Sequence, residues 1–124
     1  MIRHIVIVKW RQDTTEGDIV EAFKAARVLL EDIDAVERVT LGRNRAEVDH
    51  GFTHVLIVDL ADGEALRSYL DHPSRVRYLR EHLLPLEEQR IEIDVGVDMT
   101  LRRDATVRDW EHGASAGMSF PIDK

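Results

Sequence analysis

Two short runs, Ile5-Val6-Ile7-Val8 and Val55-Leu56-Ile57-Val58, constrain this chain more than any other feature. Each lies in a stretch rich in β-branched residues, 2–10 and 52–60, of the kind that forms strands. Successive side chains on a strand point to opposite faces. Arg3, Ile5, Ile7 and Lys9 therefore point one way and His4, Val6, Val8 and Trp10 the other. In the later stretch Thr53, Val55, Ile57 and Asp59 oppose His54, Leu56, Val58 and Leu60. Both faces of both strands are apolar at their centres, and an exposed apolar face of that size is one soluble monomers avoid.

The rest of the pattern says what covers one face. Thr15 with Asp18 three residues on resembles a capping box, and Ile19, Phe23, Ala26 and Leu30 recur behind it at helical spacing, broadened by Ala22, Leu29 and Ile33. The spacing predicts a helix over about 16–32. Residues 36–43 read as a second strand, 44–51 as a polar turn and 52–60 as a third strand. Asp62 can cap a second helix carrying Leu66 and Leu70, which Pro73 must interrupt, with a continuation to His82. Ile91, Ile93, Val95, Val97 and Met99 then alternate with Glu92, Asp94, Gly96 and Asp98, the clearest period-2 segment of all. The order is βαββαβ: an α+β, ferredoxin-like arrangement of one four-stranded antiparallel sheet with two helices on one face. Two helices cover one face only. The expectation for the other is a homodimer whose sheets pack face to face, a dimeric α+β barrel, against the alternative that the C-terminal tail lies there.

Composition narrows the function classes. The chain has 124 residues, 44% hydrophobic and 33% charged, enough for one globular domain. A formal net charge of -7 argues against a sequence-blind nucleic-acid binder, which must neutralise phosphates. The run His50-Gly51-Phe52-Thr53-His54-Val55-Leu56-Ile57 overlaps the third-strand motif of RNA-recognition domains, but its later stacking aromatics are replaced by His54 and Ile57. The absence of cysteine removes a disulfide scaffold, a thiolate metal site and a cysteine nucleophile together. The unbroken apolar run at the start is only Ile5 to Val8, too short for a signal peptide or a membrane span, so the expected location is cytoplasmic with no membrane partner. Residues 100–124 balance Arg102, Arg103, Arg108 and Lys124 against Asp104, Asp109, Glu111 and Asp123, so 1–99 carries the whole net charge. The expected division is a domain over 1–99 and a C-terminal extension or arm over 100–124, whose apolar points are Trp110, Met118, Phe120 and Pro121.

Parity puts His4 and His54 on one face of neighbouring strands, beside Val6, Leu56 and Val58, an arrangement expected to bring the two imidazoles close together. Two imidazoles next to an apolar patch suit general acid–base work near neutral pH. The bland alternative is a pair of core histidines held by local hydrogen bonds. Tyr69 and His72, three apart, share a helical face, and a Tyr hydroxyl can donate to an oxyanion; equally, Tyr69 can pack on the sheet while His72 ends the helix before Pro73. No spacing matches a metal site: His50 and His54 are separated by Gly51 and the strand onset. No dinucleotide fingerprint, phosphate loop or nucleophile elbow is present, and the expected cofactor is none.

Taken together, Arg3-His4-Ile5-Val6-Ile7-Val8-Lys9-Trp10, Gly51-Phe52-Thr53-His54-Val55, Tyr69-Leu70-Asp71-His72-Pro73 and Leu84-Pro85-Leu86 resemble the stress-responsive A/B barrel domain (Dabb) family, over residues 2 to about 98. The resemblance implies a ferredoxin-like α+β barrel dimer. One plant branch of that family cyclises a linear polyketide by an aldol reaction without a cofactor. Its pocket residues fall here on His4, His54, Tyr69 and Arg75, and the position of the base is the one changed, to Arg75. Arginine stays protonated and cannot deprotonate a carbon acid, so that mechanism does not transfer intact.

These expectations leave a small dimeric protein binding a partly apolar ligand between sheet and helices. The alternative is a cofactor-independent acid–base enzyme, cyclase- or isomerase-like, acting on an oxo or carboxylate compound. In the catalytic version His4 or His54 is the base and Tyr69 the oxyanion donor; His72, Arg75 and Trp10 are the ligand-binding candidates, with Arg75 able to hold a carboxylate bidentately. A third possibility shares only the architecture: the cofactor-free monooxygenases of the same dimeric fold, which no motif here selects.

Overall fold

The computed structural model describes residues 1–97. The expected extension over 100–124 lies outside the described residues. Four strands, β1 (Ile2–Trp10), β2 (Val36–Arg43), β3 (Phe52–Leu60) and β4 (Glu87–Gly96), are interleaved with α1 (Glu16–Leu30), α2 (Gly63–Asp71) and α3 (Pro73–Tyr78). The sheet order is β2-β3-β1-β4, and every neighbouring pair is antiparallel. This is the ferredoxin-like α+β arrangement.

Local chemistry explains where the helices begin. The Thr15 hydroxyl accepts from the Asp18 N–H at 3.1 Å while the Asp18 carboxylate accepts from the Thr15 N–H at 2.9 Å, the reciprocal capping box. Asp62 caps α2 by accepting from the Ala65 N–H at 2.8 Å. The second helix of the sequence pattern is two helices in the structure. Proline has no N–H and disfavours helical backbone in the residue before it, so His72 adopts an extended conformation and Pro73 starts a new helix at its first position. A π-helical turn, Leu79–Leu83, carries α3 toward β4.

The core lies between the sheet and the helices. Val6, Val8, Leu56, Val58 and Leu60 from the strands meet Ala26, Leu30, Ile33, Tyr69, Tyr78 and Leu83. Phe23, on the expected stripe of α1, is only half buried, because it lies over His54 rather than in this cluster.

Strand β4 has two features that the alternating pattern alone does not give. It starts at Glu87, four residues before the alternating segment, because the backbone of Glu87 to Arg90 pairs with Trp10 to Val8 whatever the side chains. Its alternation is also inverted relative to the core. Ile5 pairs with Ile93 and Ile7 with Ile91, so the apolar row of β4 lies on the face away from the helices, while Glu92 and Asp94 share the helix face with Val6 and His4. Ile91, Ile93 and Val95 are exposed there. Among the described residues, no helix is long and apolar enough to cross a membrane.

Candidate functional site

The helix face of the sheet holds two groups of polar residues, and the antiparallel register keeps them apart. His4 sits opposite Val58, and His54 opposite Val8. Four strand positions at ~3.3 Å each offset the two residues along the sheet by about 13 Å. The expectation that adjacent strands would bring His4 and His54 together is therefore corrected: shared parity puts them on one face but at opposite ends of it. Both are buried, at 2% and 4% exposure.

At one end, His54 is held by its neighbours in a single tautomer. Indole N–H can only donate, and Trp10 Nε1 lies 2.9 Å from His54 Nδ1. Nδ1 is therefore an acceptor, with the Thr53 hydroxyl also 2.8 Å away, and the ring proton of the neutral imidazole is on Nε2. Trp10 and Phe23 both meet the ring edge to face, at centroid distances of 5.7 and 5.6 Å. Burial first, and then the Arg43 cation, push the His54 pKa below its usual value. The Nε2 atom is buried and has no hydrogen-bond partner among the described residues.

His54 forms part of the wall of a cavity of about 230 Å³ between α1 and the β2–β3 edge of the sheet. Ile19, Val20, Phe23 and Leu41 make its apolar lining, and the Glu16–Arg43 ion pair completes it. A cavity near 150 Å³ lined by apolar groups already takes benzene. An apolar chamber walled in part by the His54 ring, with an ion pair at its rim, suits a compact, partly apolar molecule carrying a polar group.

At the other end, His4 faces β4. Its Nδ1 lies 2.5 Å from Asp94 Oδ1, and an ionised carboxylate can only accept, so Nδ1 carries a proton. Nε2 approaches Glu92 Oε1 at 3.1 Å without the alignment of a hydrogen bond. Glu92 is also paired with Arg75 at 3.2 Å and Arg90 at 3.1 Å. The Tyr69 ring stands edge-on to His4 at 5.7 Å, with the Arg75 guanidinium 5.9 Å from its centroid. Burial pushes the Tyr69 hydroxyl up to about 12 despite the nearby Arg75 cation, so it stays a neutral donor over the ordinary pH range.

The candidates thus divide. His54 lines the cavity and Trp10 does not, bonding only to the His54 ring, while His4, Tyr69 and Arg75 form the second group, which the structure brings together. His72 joins neither: its Nδ1 accepts from the Ser74 N–H at 3.1 Å and caps α3. Sequence reasoning missed Phe23, Glu16 and Arg43 at the cavity and Glu92 and Asp94 at His4. The last two were legible in principle, since they are the polar half of the alternating segment and β4 lies beside β1 in this topology. Among the described residues no group of three or more His, Asp or Glu is arranged to hold a metal ion.

Comparison with known proteins gives one family. The model of the stress responsive A/B barrel domain matches residues 2–97. Olivetolic acid cyclase of Cannabis sativa is 27% identical over 79 residues, which is 62% of this chain and 78% of the cyclase. Among solved structures, a Dabb family protein with a ferredoxin-like fold from Mesorhizobium loti is 25% identical, with a TM-score of 0.68 over 77% of this chain and 94% of its own. A dimeric ferredoxin-like protein of unknown function from Thermobifida fusca is 21% identical, with a TM-score of 0.68 over 77% of this chain and 89% of its own.

Proposed function

The chain belongs to the stress responsive A/B barrel domain family, and from that premise we propose that it binds a small, partly apolar oxo or carboxylate compound in the cavity at His54. One observation carries this reading: His54 Nε2 is a buried donor with no hydrogen-bond partner among the described residues, on a ring that helps line an apolar cavity. An unpaired buried donor costs free energy that a ligand oxygen would recover. Trp10 supports the arrangement by occupying Nδ1, which leaves the ring no role but donation through Nε2.

The test uses two compounds of similar shape, acetophenone and benzoate, titrated by calorimetry, with the ring nitrogens of His54 followed by NMR. Binding of either with a shift confined to His54 Nε2, and its loss in His54→Phe, is the expected result. Failure of both to bind at millimolar concentration overturns the reading.

A second reading, acid–base chemistry without a cofactor, is favoured by the other group. The His4 ring lies between the carboxylates of Asp94, at Nδ1, and Glu92, at Nε2, and Tyr69 is a neutral donor beside it. The cyclase named above is a relative whose name describes such an activity. Here His4 would be the base, Tyr69 the oxyanion donor and Arg75 the anchor. Proton exchange into the methyl group of acetophenone in D2O measures the ability to remove a proton next to a carbonyl. Accelerated exchange that disappears in His4→Gln and Tyr69→Phe is expected on this reading; exchange at the buffer rate sinks it.

We also propose that the uncovered face of the sheet takes a second copy of the chain; the similar protein from Thermobifida fusca is described as dimeric. The apolar row Ile91, Ile93 and Val95 supports that placement.

A further inference from the structure

We infer that the cavity at His54 selects carboxylates, with Arg43 as the residue that reads the charge and Glu16 as a built-in competitor that occupies Arg43 when no ligand is present. The inference rests on the binding reading above and names its ligand class.

The argument starts from how the ion pair is placed. Arg43 ends β2 and Glu16 begins α1, so a strand and a helix 27 residues apart in the chain meet across the cavity wall. Both side chains remain more than half exposed, at 53% and 61%. Exposed ion pairs contribute little net stability, because water solvates the separated partners well. Releasing Glu16 from Arg43 is therefore cheap, and the guanidinium is available to another anion.

Geometry then selects which anion. Arg43 already holds a carboxylate through Nη2, so the position beside the cavity accommodates that group. A guanidinium has five N–H donors in a planar fork, and among the described residues Glu16 is the only hydrogen-bond partner of this one. A ligand carboxylate placed between Arg43 and His54 would take a charged donor on one side and the neutral Nε2–H on the other. Its apolar body would lie against Ile19, Val20, Phe23 and Leu41. A neutral ketone of the same shape can use the His54 donor but gains nothing from Arg43. A phosphate, with more charge to neutralise, would face one arginine, a neutral imidazole and the Glu16 carboxylate, which is a poor match.

Benzoate and acetophenone distinguish the two levels of the argument when titrated against the wild-type chain, Arg43→Gln and Glu16→Gln. Benzoate is expected to bind about tenfold more tightly than acetophenone, the margin of a charge-assisted contact. Arg43→Gln should erase that margin and Glu16→Gln should widen it about threefold by removing the competitor, while acetophenone binds all three proteins alike. Equal affinity for the two compounds in the wild-type protein, or no change for benzoate in Glu16→Gln, overturns the selectivity but leaves binding at His54 intact. If neither compound binds, the binding reading itself falls and this inference falls with it. The acetophenone titration doubles as a check that each variant keeps its cavity.

Discussion

Trp10 can only donate, and that one property decides what His54 does. With Nδ1 taken, protonation of the ring would have to break the Trp10 contact, add charge in a buried position and face Arg43. The folded protein therefore binds this proton less readily than the unfolded chain, whose histidine titrates near 6.5. The sign follows: the stability that depends on neutral His54 is complete above pH ~6.5 and is lost as pH falls through the depressed folded value. Thermal unfolding from pH 7.5 to 5 is expected to show the wild-type midpoint dropping more steeply below pH ~6.5 than that of His54→Gln. Parallel curves would mean that His54 is not held neutral. At this scale the sequence singled out His4, His54, Tyr69, Arg75 and Trp10 but not the partners that the structure gives them. Parity gives the face of a strand and nothing about position along the neighbouring strand, and Arg43 and Glu16 meet only once β2 and α1 are packed.

Turns and caps, not strands alone, set the registers that place these residues. The turn before β3 puts His50 at φ 55° and Gly51 at φ 86°. Asp49 closes it, its carboxylate accepting from the Gly51 N–H at 2.8 Å and its carbonyl from the Phe52 N–H at 2.9 Å. A Cβ on Gly51 would come within 2.9 Å of the Lys9 side chain, whose flexible end can move, but the left-handed backbone cannot be relieved in that way. Gly51→Ala is expected to cost about 1–2 kcal/mol in urea unfolding, whereas His50→Gly, at the other left-handed position, should hold or raise stability. A neutral Gly51→Ala would show that the turn relaxes to another shape. Elements with their own local code were legible: the capping box of α1, the Asp62 cap and the break at Pro73 all lie where the sequence puts them. The onset of β4 was not, because Glu87 to Arg90 form a strand through backbone pairing with β1 while their side chains are used in ion pairs, Arg90 with both Glu87 and Glu92.

At the scale of the molecule, β4 carries the argument for a partner. An edge strand that served only its own core would turn its apolar row toward the helices; this one turns Glu92 and Asp94 there and leaves Ile91, Ile93 and Val95 at 40%, 44% and 39% exposure on the far face. Ile5, Ile7, Val55 and Ile57 share that face, and Arg3, paired with Asp59 at 2.9 Å, borders it. An apolar centre with a charged rim is how protein interfaces are built. Ile93, opposite Ile5, lies near the middle of the row. Ile93→Glu would bury an unpaired carboxylate if a second copy packed there, a cost larger than that of removing the isoleucine side chain alone. The wild-type chain is expected to have the mass of a dimer by light scattering at micromolar concentration, and Ile93→Glu that of a monomer. Because position 93 points away from the helices, the variant should keep its far-UV circular dichroism and the Trp10–His54 contact, which the His54 ring resonances report. A variant that remains dimeric with its fold intact would move the interface off the sheet and leave the inverted row of β4 to some other partner.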